Sequence, residues 1–157
     1  MKKNNVVRLL EANQIDHLVY NLPADKRSAL ETAGLLDIPP EMVFKTIVVV
    51  RHARGKSILA VVPGPTEVDL KALAKLLGEK KVFIASEREA EKLTGLLAGG
   101  ISPLALLNRG FQVVMDDNAL KFDRICISGG ERGLMVALAP AAVIDLTSAI
   151  TGKITPN

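Results

Sequence analysis

Lys45 is the only charge inside Met42-Val43-Phe44-Lys45-Thr46-Ile47-Val48-Val49-Val50, a run that is otherwise almost wholly apolar. A lysine there either points to solvent from one face of a half-exposed strand or sits in a cleft as a charged ligand. In a cleft its compact ammonium suits a phosphate, or an oxygen that gains negative charge in a transition state. A second segment, Gly99-Gly100-Ile101-Ser102-Pro103-Leu104, joins two glycines to a serine and a proline. The glycines permit positive φ and close approach to bare backbone. Ser102 before Pro103 reads as an N-cap with proline at the first helical position. Such a turn offers N–H groups to a phosphate, a carboxylate or a developing oxyanion; it is equally a glycine bend into a short capped helix that touches nothing. The third segment, Ser128-Gly129-Gly130-Glu131-Arg132-Gly133, follows the apolar Ile125-Cys126-Ile127 and so lies at a strand end. It is a plain hairpin loop, or a site with one hydroxyl, approachable N–H groups and an arginine fork for phosphate or carboxylate.

Other chemistries find no support. The chain has neither G-x-x-x-x-G-K-[ST] nor G-x-G-x-x-G, and no G-x-S-x-G elbow surrounds Ser128. Cys126 is the single cysteine, which excludes an internal disulfide or a cysteine-rich zinc site. Its place between two isoleucines suits a small buried hydrophobe. His17 and His52 have no acidic partner at ligand spacing, which argues against a metal site or a Ser-His-Asp arrangement. The densest basic run, Arg51-His52-Ala53-Arg54-Gly55-Lys56, falls on a predicted hairpin tip, as a solvated turn or a phosphate contact. With no general base, standard nucleophile, metal or cofactor in view, any reaction must be an easy one. Positioning and charge stabilisation would do most of the work.

The elements that must hold these residues are legible in outline. Helical spacing of Val6, Val7, Leu9 and Leu10 predicts a helix over roughly 3–13. His17 to Tyr20 reads as a strand, and Ser28-Ala29-Leu30-Glu31 as a capping box for a helix ending near Asp37. Met42–Arg51 and Lys56–Val62 form a predicted central hairpin. Asp69 caps a helix that stops at Gly78. Val82–Ala85 is a short strand, and Ser86 with Glu89 starts another capped helix. Phe111–Met115, Arg124–Ser128 and Leu134–Leu138 are further strands; Pro140 opens a last helix with a polar tail behind it. Strands and helices do not alternate strictly, so a mixed sheet fits better than a doubly wound parallel one.

At 157 residues the chain suits one domain, 1–157, that buries a core without disulfides or metal. Aromatics at 3%, with no Trp, argue against a binder that stacks successive bases. A net charge of +3 and a pI of about 9.1 suit contact with phosphates. With no export h-region and no apolar run of about 18 residues, a soluble, cytoplasmic monomer without a membrane partner is expected.

Taken together, Val43-Phe44-Lys45-Thr46, Gly99-Gly100-Ile101-Ser102-Pro103-Leu104 and Ser128-Gly129-Gly130-Glu131-Arg132-Gly133-Leu134 resemble the YbaK/EbsC family. These are the Cys-tRNA(Pro) deacylases, relatives of the editing domain inserted in bacterial prolyl-tRNA synthetases. The similarity runs from about Val6 to about Asp145. It implies an α/β (α+β) single domain with a curled, barrel-like mixed sheet surrounded by helices. It also implies hydrolysis of the ester joining a mischarged amino acid to the tRNA 3′ end. The catalytic residues carried over are Lys45, Gly100 and Ser128. Lys45 would hold the terminal phosphate or the ester carbonyl region, Gly99 and Gly100 N–H groups the oxyanion, and Ser128 the aminoacyl end. Tyr20, Thr46, Gly99, Ile101, Ser102, Gly129, Gly130 and Arg132 are the expected substrate-binding set. In cysteine-specific members the substrate's own thiol attacks the ester, which fits a chain without a nucleophile. Met135 stands where those relatives carry Asp, which leaves amino-acid specificity open. An Ala-tRNA(Pro) deacylase and a non-catalytic tRNA- or synthetase-binding module are the alternatives. The implied partners are the tRNA(Pro) acceptor end and prolyl-tRNA synthetase.

Overall fold

A computed structural model describes residues 4–25, 27–52 and 55–156. Among the described residues four of five α-helices have side-chain caps, those at Ser28, Asp69 and Ser86 as the sequence predicts. Asn4 caps α1 (Asn5–Ala12), Ser28 and Glu31 form the capping box of α2 (Ala29–Leu36), and Asp69 caps α3 (Leu70–Leu77). Ser86 caps α4 (Glu87–Thr94), and α5 (Pro140–Thr147) begins on its proline. Each cap satisfies a backbone N–H that the first helical turn would otherwise leave unpaired.

The strands form two sheets. One has β1 (His17–Asn21), β7 (Leu134–Leu138) and β6 (Ile125–Ser128), in the order β1-β7-β6, all antiparallel. The other runs β4-β2-β3-β5-β8, with β2 (Phe44–Arg51), β3 (Ile58–Pro63), β4 (Val82–Ile84), β5 (Gln112–Asp116) and β8 (Ile150–Gly152). It is mixed, as expected: β2 pairs antiparallel with β3 and β4, while β3–β5 and β5–β8 are parallel. An isolated parallel bridge between Val43 and Cys126 joins the two sheets.

The period-2 alternation of the strands divides the core. Phe44, Val48, Leu59, Val61, Val113 and Met115 face Ile125, Ile127, Leu134, Val136 and Leu138 in the main core between the sheets. The opposite sides of β2, β3 and β5 carry Val49, Ile58, Ala60, Val62 and Val114 under Leu73 and Ala74 of α3. The outer face of the smaller sheet carries Cys126, Met135 and Tyr20 beneath Ala33 of α2. Cys126 is buried there, and burial pushes its thiol up to about 12, so it is a packing residue.

Two expectations change. The segment after α5 is not merely a polar tail, because it supplies β8. Its end is held by the fully buried Asp116, whose Oδ1 accepts from the Ile154 N–H (3.0 Å) and the Thr155 hydroxyl (3.1 Å). The basic run at the β2–β3 turn is not led by a free arginine. Arg51 donates to Glu79, to Gln112 and, through Nε, to the Lys56 carbonyl at 2.6 Å, so its guanidinium ties the hairpin to its neighbours. Ala53 and Arg54 of that run lie outside the described residues.

Candidate active site

The bridge between the sheets sets the site. Val43 and Cys126 run in parallel at the bridge, and two residues further along their strands stand Lys45 and Ser128. Side chains two apart share a face. Lys45 therefore lies on Val43's side of β2, and Ser128 on Cys126's side of β6. Met135 is Ser128's direct partner across the β6–β7 ladder. Beyond the bridge β2 and β6 part, and the gap is a cavity of about 380 Å³, within the ~300–1,000 Å³ usual for small-molecule sites. Lys45, Thr46, Gly99, Ile101, Ser128 and Met135 line it, with Ser28 and Thr32 of the α2 end.

Lys45 is half-buried and, among the described residues, has neither a hydrogen bond nor an ion pair. Burial lowers its pKa from the ordinary lysine value, and the charge of Glu67 acts more weakly in the opposite direction. Thr46 lines the gap from the face of β2 that also carries Phe44 and Val48. Gly64 N–H donates to Val43 C=O across the β2–β3 register, so residues 43, 45 and 47 hydrogen-bond toward β3. The N–H and C=O of Thr46 then point away from β3, like the Val48 carbonyl that accepts from Ala85 at 2.9 Å. Ser128 Oγ accepts from the Gly130 N–H at 3.2 Å, which leaves its own O–H free to donate. No histidine or cysteine is among the lining residues.

The 99–104 segment differs from its expected form. Pro103–Ala105 is one turn of 3₁₀ helix, and the fully buried Ser102 caps it by accepting from Leu104 N–H. Gly100 does not offer the free N–H expected of it, because that group donates to the Leu97 carbonyl at 2.8 Å. Its glycine is needed for packing: a Cβ there would lie 2.9 Å from Arg132 N and Glu131 C. The Gly99 (φ +88°) and Ile101 N–H groups have no protein acceptor among the described residues.

Arg132 holds the two glycine loops together, its Nε donating to Ala98 C=O at 2.7 Å. Gly129 donates to Leu134 C=O and accepts from Asn4 Nδ2. Tyr20, opposite Met135 on β1, packs beneath α2. Gly100, Ser102, Gly129, Gly130, Arg132 and Tyr20 thus lie behind the cavity wall rather than on it. Sequence reasoning missed Arg27 and Gly133, which do line it.

A family model described as the aminoacyl-tRNA editing domain matches residues 23–146, a span that holds every lining residue named above. The chain belongs to that family. As an aminoacyl-tRNA editing domain it is 35% identical, over 98% of its length and 94% of the other, to a protein of Enterococcus faecalis named as the Cys-tRNA(Pro)/Cys-tRNA(Cys) deacylase EbsC. It is 28% identical over 139 residues to a proline–tRNA ligase of Geobacter metallireducens, covering 84% of this chain but 24% of that enzyme. A solved structure described as a trans-editing enzyme for prolyl-tRNA synthetase superposes with a TM-score of 0.81 at 23% identity, covering 99% of this chain and all of the other. That likeness speaks for the fold. The family model and the 35% identical relative together place the chain with the YbaK/EbsC-type editing domains.

Gly100→Ala tests the packing of the loops. The new methyl meets backbone, not a flexible side-chain end, so loops 97–101 and 129–133 must separate. Overpacking of this sort costs about 1–3 kcal/mol, and a shift of catalytic groups by about 1 Å can cost ~10²-fold in rate. A fall in deacylation of tenfold or more is expected, with a folded protein by circular dichroism. Retention of full activity would show that the loops need not touch.

Proposed function

We propose that this editing domain acts in trans on misacylated tRNA(Pro), chiefly Cys-tRNA(Pro), and cleaves the ester between the cysteinyl group and the tRNA 3′ end. The observation that carries this reading is a cavity that, among the described residues, has a lysine without a hydrogen bond or ion pair on one wall and no nucleophile–base pair on any. The substrate supplies what the walls lack. Its thiol sulfur attacks its own ester carbonyl carbon, forming the C–S bond as the bond from that carbon to the ribose oxygen breaks. The thiol proton passes to the ribose oxygen, which leaves a thiolactone and a tRNA with a free terminal hydroxyl. Lys45 and the N–H groups of Gly99 and Ile101 stabilise the charge that grows on the carbonyl oxygen. The Ser128 hydroxyl and the Thr46 backbone orient the aminoacyl group.

The name of the 35% identical Enterococcus protein supports this substrate. The acceptor end of tRNA(Pro) is the binding partner, and prolyl-tRNA synthetase supplies tRNA selectivity that a domain of this size lacks. The protein works as a cytoplasmic monomer without a cofactor. Val43 and Met135 give the wall an apolar stretch on which the methyl of alanine fits as well as a thiol. Small side chains differ in such a pocket by only ~1–3 kcal/mol per methylene.

The decisive assay follows labelled Cys-tRNA(Pro), Ala-tRNA(Pro) and Pro-tRNA(Pro) side by side. Loss of the cysteinyl ester at least about tenfold faster than the others, with thiolactone as first product, is the expected result. Equal loss of the alanyl ester would replace thiol attack by water. No loss above the spontaneous rate would leave a tRNA-binding module.

A further inference from the structure

Arg27 lies just before the Ser28 cap of α2, a position that helix electrostatics disfavours for a cation. The N-terminal end of a helix already carries partial positive charge. Its side chain is 12% exposed, and its one ion pair among the described residues is a long one, 3.6 Å to an Asp25 that is itself 79% exposed. No buried side-chain nitrogen or oxygen among the described residues lacks a hydrogen bond. Among the described residues Arg27 makes no side-chain hydrogen bond, so its guanidinium nitrogens are not fully buried and keep some access to solvent. Arg27 lines the cavity that Lys45 lines and also a second recess toward Glu31 and Leu35, where hydrogen bonds with Ser28 and, after them, the Arg27 charge hold the Glu31 carboxyl below its ordinary value. Arg27 therefore brings a second cation, with a fork of five donors, to the rim of the same site.

We propose, building on the deacylase reading, that Arg27 is a binding residue for the nucleic acid. Its guanidinium takes the phosphodiester next to the terminal nucleoside, while Lys45 serves the ester. The cavity is of a size for a terminal nucleoside with its aminoacyl group, so the next phosphate of the strand must lie at the rim. Among the described lining residues Arg27 stands with the exposed Asp25, Ser28 and Glu87 on this part of the wall. A bidentate guanidinium–phosphate contact fixes orientation as well as register.

The test compares wild type, Arg27→Ala and Arg27→Lys on two esters, Cys-tRNA(Pro) and the same cysteinyl ester of adenosine, which has no phosphate. Arg27→Ala is expected to raise KM for the tRNA about tenfold with kcat little changed, the signature of lost uniform binding. On the adenosine ester it should behave as wild type, and Arg27→Lys should recover part of the tRNA affinity. Equal losses on both esters, or no loss on the tRNA, would overturn the assignment. A parallel titration of an unacylated RNA ending in CCA separates this from the deacylase reading. Arg27→Ala should weaken that binding about tenfold and flatten its salt slope by about 0.7, one single-strand phosphate contact. Unchanged RNA binding refutes Arg27 even if the enzyme is active. A wild type that binds RNA through Arg27 but cleaves no ester refutes the deacylase reading instead.

Discussion

Lys45→Ala is expected to lower kcat/KM for Cys-tRNA(Pro) by about 10²–10³-fold, the loss that follows removal of one oxyanion donor from a preorganised site. The reason lies in what surrounds the ammonium. It has no hydrogen-bond or ion-pair partner to lose among the described residues, and partial burial strengthens its field at any oxygen beside it. Among the described lining residues it and Arg27 are the cations, and Lys45 is the one beside Ser128 and Gly99 in the gap between the sheets. Single-turnover hydrolysis checks this, and a loss below about threefold would remove Lys45 from the chemistry.

The same burial makes a statement about stability. Because burial lowers the folded-state pKa of Lys45, the fold bears the cost of the buried charge wherever both states hold the proton, below the folded pKa. As pH rises through the folded pKa the native state sheds its proton first, so this contribution improves with pH while the cation needed for catalysis is lost. Lys45→Met should therefore melt no lower than wild type at pH 7 while losing activity. Activity that depends on the cation should fall at a lower pH than an ordinary lysine would give.

Gly133→Ala is expected to destabilise the fold through backbone strain and collision together. Gly133 sits at φ +87°, and an added Cβ would lie 2.4 Å from the Leu22 carbonyl and 3.0 Å from that of Pro23. The Gly133 carbonyl also accepts from Leu22 N–H at 2.7 Å, so the two segments are held where the methyl would go. Left-handed strain of about 1–2 kcal/mol adds to an overpacking cost of about 1–3 kcal/mol. At ~2–4 °C per kcal/mol for a domain of this length, the melting temperature should drop by about 5–15 °C. Leu22 and Pro23 lead to Arg27 and Ser28, so tRNA affinity should fall with it. Gly95→Ala is the control: it too has positive φ (+74°), yet nothing lies within 4 Å of its Cβ. Scanning calorimetry on both variants separates strain from collision, and equal losses would show that collision contributes nothing.

Much of this molecule was legible before any coordinates. The caps at Ser28, Asp69 and Ser86 are satisfied within three residues, so their signal is local and survives in the sequence. The alternation of β2 and β3 sorts their side chains between two cores for the same reason. The three segments around Lys45, Gly99 and Ser128 also announced the family, because each carries residue types that plain packing does not require. Which of their atoms face the substrate was decided by tertiary structure alone. Gly99 and Gly100 are indistinguishable as letters, yet Gly100 gives its N–H to Leu97 and presses on Glu131 and Arg132. Arg51 and Arg132, read as candidate phosphate ligands, are half-buried and tie one segment to another through hydrogen bonds, whereas Arg27, which the sequence did not single out, lines the cavity. The three-residue β8 is too short to show a period and exists because Asp116 and β5 receive it. Each of these outcomes rests on contacts between segments far apart in the chain, such as Asn4 with Gly129. Residue type and spacing limit what a side chain can do; only the closing of the two sheets on the Val43–Cys126 bridge decides which groups are consumed by packing and which stay free for the ester.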